Sequence, residues 1–190
     1  ALLSIVAAKD SRDETTNYIA MIVDISKRKN AEGQLERLRT FDSLTGLLSR
    51  GAWVSAMERA VANSRSSQQK FALLEIGLDR FKLINDSLSH AVGDKVLTEA
   101  AERIRKVLRR QDAAARLGGD RFSILLEDVQ SRHNVDAICE KLLAAFFAPI
   151  IVDQHELHIS ISIGAALHPD DGIDAGTLQR HAEAAMYCTK

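Results

Sequence analysis

The sequence predicts a layered α/β domain, preceded by a β-rich segment and a polar helix. Three observations carry this. Short β-rich apolar runs alternate along the chain with segments of helical period. A long amphipathic stretch runs through Val96–Leu108, and paired glycines separate two apolar runs in Arg116-Leu-Gly-Gly-Asp-Arg-Phe-Ser-Ile-Leu-Leu126. At 190 residues the chain has the length for one full domain and an appendage. A hydrophobic fraction of 46% and a charged fraction of 27% suit a soluble globular protein that buries a core.

Residues 2–8 (Leu-Leu-Ser-Ile-Val-Ala-Ala) and 17–25 (Asn-Tyr-Ile-Ala-Met-Ile-Val-Asp-Ile) are β-rich, and the polar stretch Lys9 to Thr16 between them predicts a hairpin. Two strands are marginal alone in water, so they are expected to belong to a sheet whose other strands precede this chain. From Ser26 the sequence turns charged. Ala31, Leu35 and Leu38 fall at i, i+4 and i+7, a narrow stripe that fits a solvated connecting helix or a dimeric coiled coil. The main domain starts near Phe41. Trp53–Val61 has helical spacing, and Phe71–Leu78 reads as a buried strand. Val96, Leu97, Ala100, Ala101, Ile104, Val107 and Leu108 form one apolar helical face. The glycine hairpin follows, then a helix over Val135–Phe147, strands at Ile150–Val152 and Leu157–Ala166, and a final helix over Leu178–Tyr187.

A net charge of -1 gives no electrostatic case for nucleic acid or an anionic membrane as partner. Cys139 and Cys188 lack the close pairing of zinc or redox motifs, which points to reduced thiols and a cytoplasmic setting. The longest apolar run, Leu142 to Val152, contains Pro149 and is too short to span a bilayer. Residue 1 reads as mid-strand, so a fragment of a longer protein is expected, with any membrane anchor elsewhere in it.

The hairpin tip carries chemistry. Gly118 and Gly119 place no Cβ in the way of a ligand. Asp120 offers an anionic group suited to a metal ion, whereas Arg121 attracts phosphate or carboxylate. Other motifs stand around it in order. They are Asp42-Ser-Leu-Thr-Gly-Leu-Leu-Ser-Arg50, Leu78-Asp-Arg-Phe-Lys-Leu-Ile-Asn-Asp86, His90-Ala-Val-Gly-Asp94, Ser160-Ile-Ser-Ile-Gly164 and Ala182-Glu-Ala-Ala-Met-Tyr187. Together with Arg116-Leu-Gly-Gly-Asp-Arg-Phe122 they resemble the GGDEF domain of bacterial diguanylate cyclases, which join two GTP molecules into cyclic di-GMP. The resemblance covers residues 41–190. Residues 1–27, closing with Val23-Asp-Ile-Ser26, resemble the end of a PAS sensor domain, which leaves 28–40 as a linker helix.

The resemblance implies a central mixed, largely antiparallel sheet flanked by helices, akin to the palm of nucleotidyl cyclases. It implies that Asn85 and Asp94 read guanine. An amide and a carboxylate complement guanine's acceptor and donors, although both residue types also stabilise loops. Lys82 and Lys190 match phosphate-contacting lysines, assisted by backbone N–H groups at Arg80 and Phe81, with Gly118 and Gly119 lining the substrate site. The family's second basic phosphate ligand lies a turn beyond Lys190. Asp120 matches one metal carboxylate.

Two positions depart from the pattern. Where the family has a second Mg²⁺-binding Asp, this chain has Gly77. Glu75 shares the strand face but lies roughly 6.6 Å back along it, and Mg²⁺ demands octahedral contacts at about 2.0–2.1 Å. Where active enzymes have Glu, this chain has Arg121, which is always protonated and cannot serve as a base. Phosphoryl transfer depends on positioning and on metals that neutralise developing charge, so no catalytic site is expected to be intact and Mg²⁺ binding is expected to be weakened. Arg121 is instead expected to hold a GTP phosphate without metal. Arg109 and Asp112 stand as an Arg-x-x-Asp pair at the register of the family's inhibitory product site, or form a helix C-terminal turn.

The function expected is a degenerate cyclase domain that binds GTP or cyclic di-GMP and regulates its neighbours. Homodimerisation through the linker helix and a following EAL phosphodiesterase domain are expected by family analogy. An active diguanylate cyclase and a purely structural dimerisation module are the alternatives. His90 reads as positional, and His155, His158, His168 and His181 lack metal-ligand spacing.

Overall fold

A computed structural model describes residues 2–9, 15–23, 39–67 and 69–190. The chain divides into two units, residues 1–38 and 39–190. In the first, β1 (Leu2–Lys9) pairs antiparallel with β2 (Thr15–Val23), from Leu2 opposite Val23 to Ala8 opposite Asn17, with an irregularity at Lys9. The expected hairpin is therefore present, its second strand starting two residues before Asn17. The expected helix over 28–40 falls almost wholly on residues outside those described.

The second unit runs α1 (Arg50–Ser67), β3 (Phe71–Leu78), α2 (Phe81–Ser87), α3 (His90–Val107), β4 (Ala113–Gly118), β5 (Arg121–Leu126), α4 (Arg132–Ala145), β6 (Ile150–Val152), β7 (His155–Leu157), β8 (Ile161–His168) and α5 (Ala175–Thr189). Strands β4-β5-β3-β8 form one sheet in which every neighbour is antiparallel. Among the described residues the parallel element is an isolated bridge between Leu48 and Ala115. This is the α/β architecture expected, a largely antiparallel sheet flanked by helices.

The segment expected as one strand from Leu157 to Ala166 is divided. Leu157 closes a small hairpin with β6, turned at Asp153 with φ 54°, and β8 begins at Ile161. The short α2 is an element that hydrophobic period did not disclose.

Strand β3 is buried along its whole length, and its two faces meet different helices. Ala72, Leu74, Ile76 and Leu78 join the core with Phe81 of α2, Val96, Leu97 and Ile104 of α3 and Leu142 of α4. Phe71 and Leu73 join Trp53 and Met57 of α1 and Leu178 and Ala182 of α5. Side chains alternate along a strand, so Glu75 and Gly77 share the face with Phe71 and Leu73, under α5. That parity brings α5 over the Gly77 end of β3.

Candidate functional site

The end of β3 is pinned before the chain enters α2. The Asp79 backbone N–H donates to the Ser160 carbonyl at 2.9 Å. The Asp79 carboxylate accepts from the Ser160 hydroxyl at 2.6 Å and from the Ser162 hydroxyl at 2.7 Å. Both carboxylate oxygens are thus engaged by the start of β8. Arg80 then takes a left-handed conformation, φ 55° and ψ 21°, which swings the chain from strand to helix. Phe81 is buried beneath the turn, while Arg80 and Lys82 are exposed. The first N–H groups of α2 have no intrahelical acceptor.

Asn85 of α2 meets α3 at Gly93, the residue before Asp94. Asn85 packs on Gly93, where any Cβ would lie 2.0 Å from the Asn85 Oδ1. Gly93 thus leaves room for the amide, and the adjacent Asp94 is exposed. The Asn85 Oδ1 is buried and has no hydrogen-bond partner. An unmatched buried acceptor costs about 1–3 kcal/mol.

The hairpin between β4 and β5 turns tightly at Gly118 (φ 130°) and Gly119 (φ 57°), conformations that glycine tolerates. The Arg116 guanidinium braces the turn. Its Nε and Nη2 each donate to the Gly119 carbonyl at 3.1 Å, and its Nη1 meets the Asp42 carboxylate at 3.4 Å. Asp42 also accepts from the Thr45 N–H at 2.9 Å and the Thr45 hydroxyl at 2.7 Å. Burial alone would raise the Asp42 pKa, but Thr45 and Arg116 together hold it below the usual carboxylate value. The tip rests on β3, with the Leu78 N–H donating to the Asp120 carbonyl at 3.2 Å.

That contact sets Asp120 beside Gly77, and Lys190 lies between them. The Lys190 ammonium is 3.1 Å from the Asp120 Oδ2. It is also 3.0 Å from the point that a Cβ on Gly77 would occupy, with the Met186 sulfur at 3.3 Å. Arg121 points the same way, its Nη2 pairing with the Glu183 Oε1 at 3.0 Å and its Nη1 donating to the Tyr187 hydroxyl at 3.4 Å. The structure therefore gives both Lys190 and Arg121 protein partners that the sequence did not disclose.

Glu75 is fully buried beneath this cluster and accepts from the Ser123 hydroxyl at 2.6 Å. Its other oxygen, Oε2, has no partner. Burial pushes its pKa up to about 7, Ser123 and Arg121 pulling it down and Glu183 adding to the rise. Sequence reasoning considered Glu75 only as a stand-in metal ligand.

Mg²⁺ does not fit this donor set. Gly77 contributes no side-chain oxygen, Asp120 is neutralised by Lys190, and Glu75 is tied to Ser123. Among the described residues no group of three or more His, Cys, Asp and Glu side chains is arranged to hold a metal ion.

Arg109 and Asp112 lie in the turn after α3. The Asp112 Oδ2 accepts from the Arg109 N–H at 2.9 Å, and the Asp112 N–H donates back to the Arg109 carbonyl at 3.1 Å. The carboxylate thus serves the turn itself. The Arg109 side chain is exposed at the rim of a concavity of about 390 Å³ that Phe41, Gly46, Arg105 and Leu108 also line.

Residues 39–190 match the family described as "Diguanylate cyclase, GGDEF domain". The chain belongs to the GGDEF domain family. It is 40% identical over 192 residues to the bifunctional diguanylate cyclase/cyclic di-GMP phosphodiesterase MucR of Pseudomonas aeruginosa, covering 100% of this chain and 27% of MucR. A solved structure of the GGDEF domain of TpbB from the same organism is 40% identical, with a TM-score of 0.76 over 79% of this chain and 88% of that one. The coiled coil and GGDEF domain of DgcB from Caulobacter crescentus, solved with cyclic di-GMP, is 25% identical, with a TM-score of 0.77 over 86% of this chain and 87% of that one. The chain spans about a quarter of the length of its first curated relatives.

Proposed function

We propose that residues 41–190 form a catalytically degenerate GGDEF domain that binds guanine nucleotide, GTP or cyclic di-GMP, and regulates the protein that carries it. The observation that carries this reading is the split between two halves of one site. The base-reading half keeps Asn85 and Asp94, with a buried unpartnered amide oxygen set against Gly93. The metal half has Gly77 in place of a carboxylate and an arginine, Arg121, held by Glu183 in place of a base. Lys82 with the Arg80 and Phe81 backbone supplies donors for phosphate, and Gly118 and Gly119 leave the hairpin side open.

Arg109 and Asp112 are the proposed cyclic di-GMP contacts, and DgcB, solved with that ligand, lends them support. Arg109 is exposed and available, whereas Asp112 would have to be shared with its turn. Residues 1–27 are proposed as the closing hairpin of a PAS-like domain. Residues 28–40 are proposed as a dimerising linker, a reading that DgcB's coiled coil supports. A following EAL phosphodiesterase domain is proposed because MucR is bifunctional. The cytoplasm is the proposed setting, and no helix among the described residues is long and apolar enough to cross a membrane.

A second reading, a working diguanylate cyclase, is favoured by the 40% identity to TpbB and to MucR, both of which are named diguanylate cyclases. Incubation with GTP and Mg²⁺, followed by chromatography for cyclic di-GMP, separates the two. The degenerate reading expects bound GTP and no product. Product formation would overturn it.

A further inference from the structure

We propose that the Lys190 ammonium is a built-in cation that takes the place of a divalent metal between Asp120 and β3, so that this domain receives a nucleoside triphosphate without a metal ion. The inference rests on the guanine-nucleotide reading above and deepens it. Its starting point is Gly77. A carboxylate on that residue would have to begin 3.0 Å from the Lys190 Nζ, so the ammonium fills the space beside Asp120 that such a carboxylate would need. Its 3.1 Å contact with Asp120 neutralises the one carboxylate left to attract a metal.

The charge arithmetic agrees. Around the tip of the β4–β5 hairpin, two cations (Lys190 and Arg121) face two carboxylates (Asp120 and Glu183). A cluster already neutral without metal exerts no net attraction on a 2+ ion, and the Lys190 ammonium repels one at short range. An ammonium has three N–H donors. Asp120 takes one, and the remaining donors are free to meet phosphate oxygens, since the Lys190 side chain is 29% exposed. Lysine binds phosphate as a point charge and does not need the octahedral shell that Mg²⁺ requires. Met186 packs beside the glycine and fixes the helix that delivers the lysine.

Two independent readouts test this. The first is Mn²⁺ uptake by the protein alone, followed by electron paramagnetic resonance without nucleotide. The second is calorimetry of GTP in EDTA and in Mg²⁺. Native protein is expected to take up no Mn²⁺ at stoichiometric concentrations and to bind GTP equally in both buffers. Lys190→Ala is expected to lose about tenfold in GTP affinity in EDTA, the scale of one charge-assisted hydrogen bond. Gly77→Asp alone gains no Mn²⁺, because the new carboxylate pairs with Lys190. Gly77→Asp with Lys190→Ala gains Mn²⁺ by about tenfold or more, a metal site remade once the ammonium is gone. Thermal unfolding of each variant verifies that it folds; the atoms nearest a Gly77 Cβ are ends of flexible side chains, which can yield.

Mn²⁺ uptake by the native protein equal to that of the double variant would overturn the proposal. So would GTP affinity in EDTA that Lys190→Ala leaves unchanged. If no variant binds GTP but the Mn²⁺ results come out as expected, the built-in cation stands and the nucleotide reading falls.

Discussion

At Glu75, a carboxyl with no exposed surface has one hydroxyl donor for two oxygens. Its folded pKa of about 7 lies above the ordinary glutamate value of 4.5. The folded state therefore holds a proton that the unfolded chain has released. That contribution is fully present below about pH 4.5 and is lost as pH rises to about 7, by roughly 3 kcal/mol if Glu75 acted alone. Glu75→Gln is expected to flatten this part of the stability-against-pH curve, measured by urea unfolding between pH 5 and 8. His168 lies buried on Phe71 with its pKa lowered, and it favours folding in the opposite direction, so the difference between native protein and variant is the quantity to read. Asn85 gives a second prediction. Its unpartnered Oδ1 is a cost to the free protein, and Asn85→Ala removes that cost while losing the packing against Gly93. Asn85→Ala is therefore expected to change stability by no more than about 1 kcal/mol yet to weaken GTP binding about tenfold. A large loss of stability with unchanged affinity would assign Asn85 to loop structure instead. Motif order put Asn85 and Asp94 forward as the proposed guanine-reading pair. The partners of Lys190, Arg121 and Asp79 were not legible in the sequence, because each lies on a different element far along the chain.

Among the elements, α5 is latched to the β4–β5 hairpin by two ion pairs, Arg121–Glu183 and Lys190–Asp120. Restoring the family's glutamate with Arg121→Glu would set a new carboxylate against Glu183 and near buried Glu75. We expect this variant to lose about 1–2 kcal/mol, a fall of roughly 2–8 °C in Tm for a domain of this size, and to make no cyclic di-GMP with Mg²⁺. Gain of activity from that single change would show that Gly77 is no obstacle. Legibility at this scale followed the strength of the pattern. The runs of β3 and α3 were legible because burial on both strand faces and on a long helix face leaves continuous or periodic apolar residues. Helix α2 has seven residues and a single buried one, too few to print a period. The β6–β7 hairpin was missed because its turn takes Val152-Asp-Gln-His155, with Asp153 at φ 54°, in place of a glycine signature.

For the whole molecule, the face parity of β3 joins fold to proposed function. One face builds the core with α2, α3 and α4, the other places Gly77 under α5, and the residues proposed to read the base stand at the α2–α3 junction beyond the strand's end. The same architecture in TpbB and DgcB shows that the fold accommodates GGDEF chemistry; the side chains at Gly77, Arg121 and Lys190 are what set this chain's proposed role apart. A relative such as MucR, about four times the length of this chain, illustrates the setting in which a nucleotide-responsive module would act on neighbours. The most direct test is calorimetric titration of GTP into the protein, once in EDTA and once in Mg²⁺, with the second mixture assayed for cyclic di-GMP. Equal affinity in both buffers and no product are the predicted result. Binding that requires Mg²⁺, with cyclic di-GMP formed, would contradict the account.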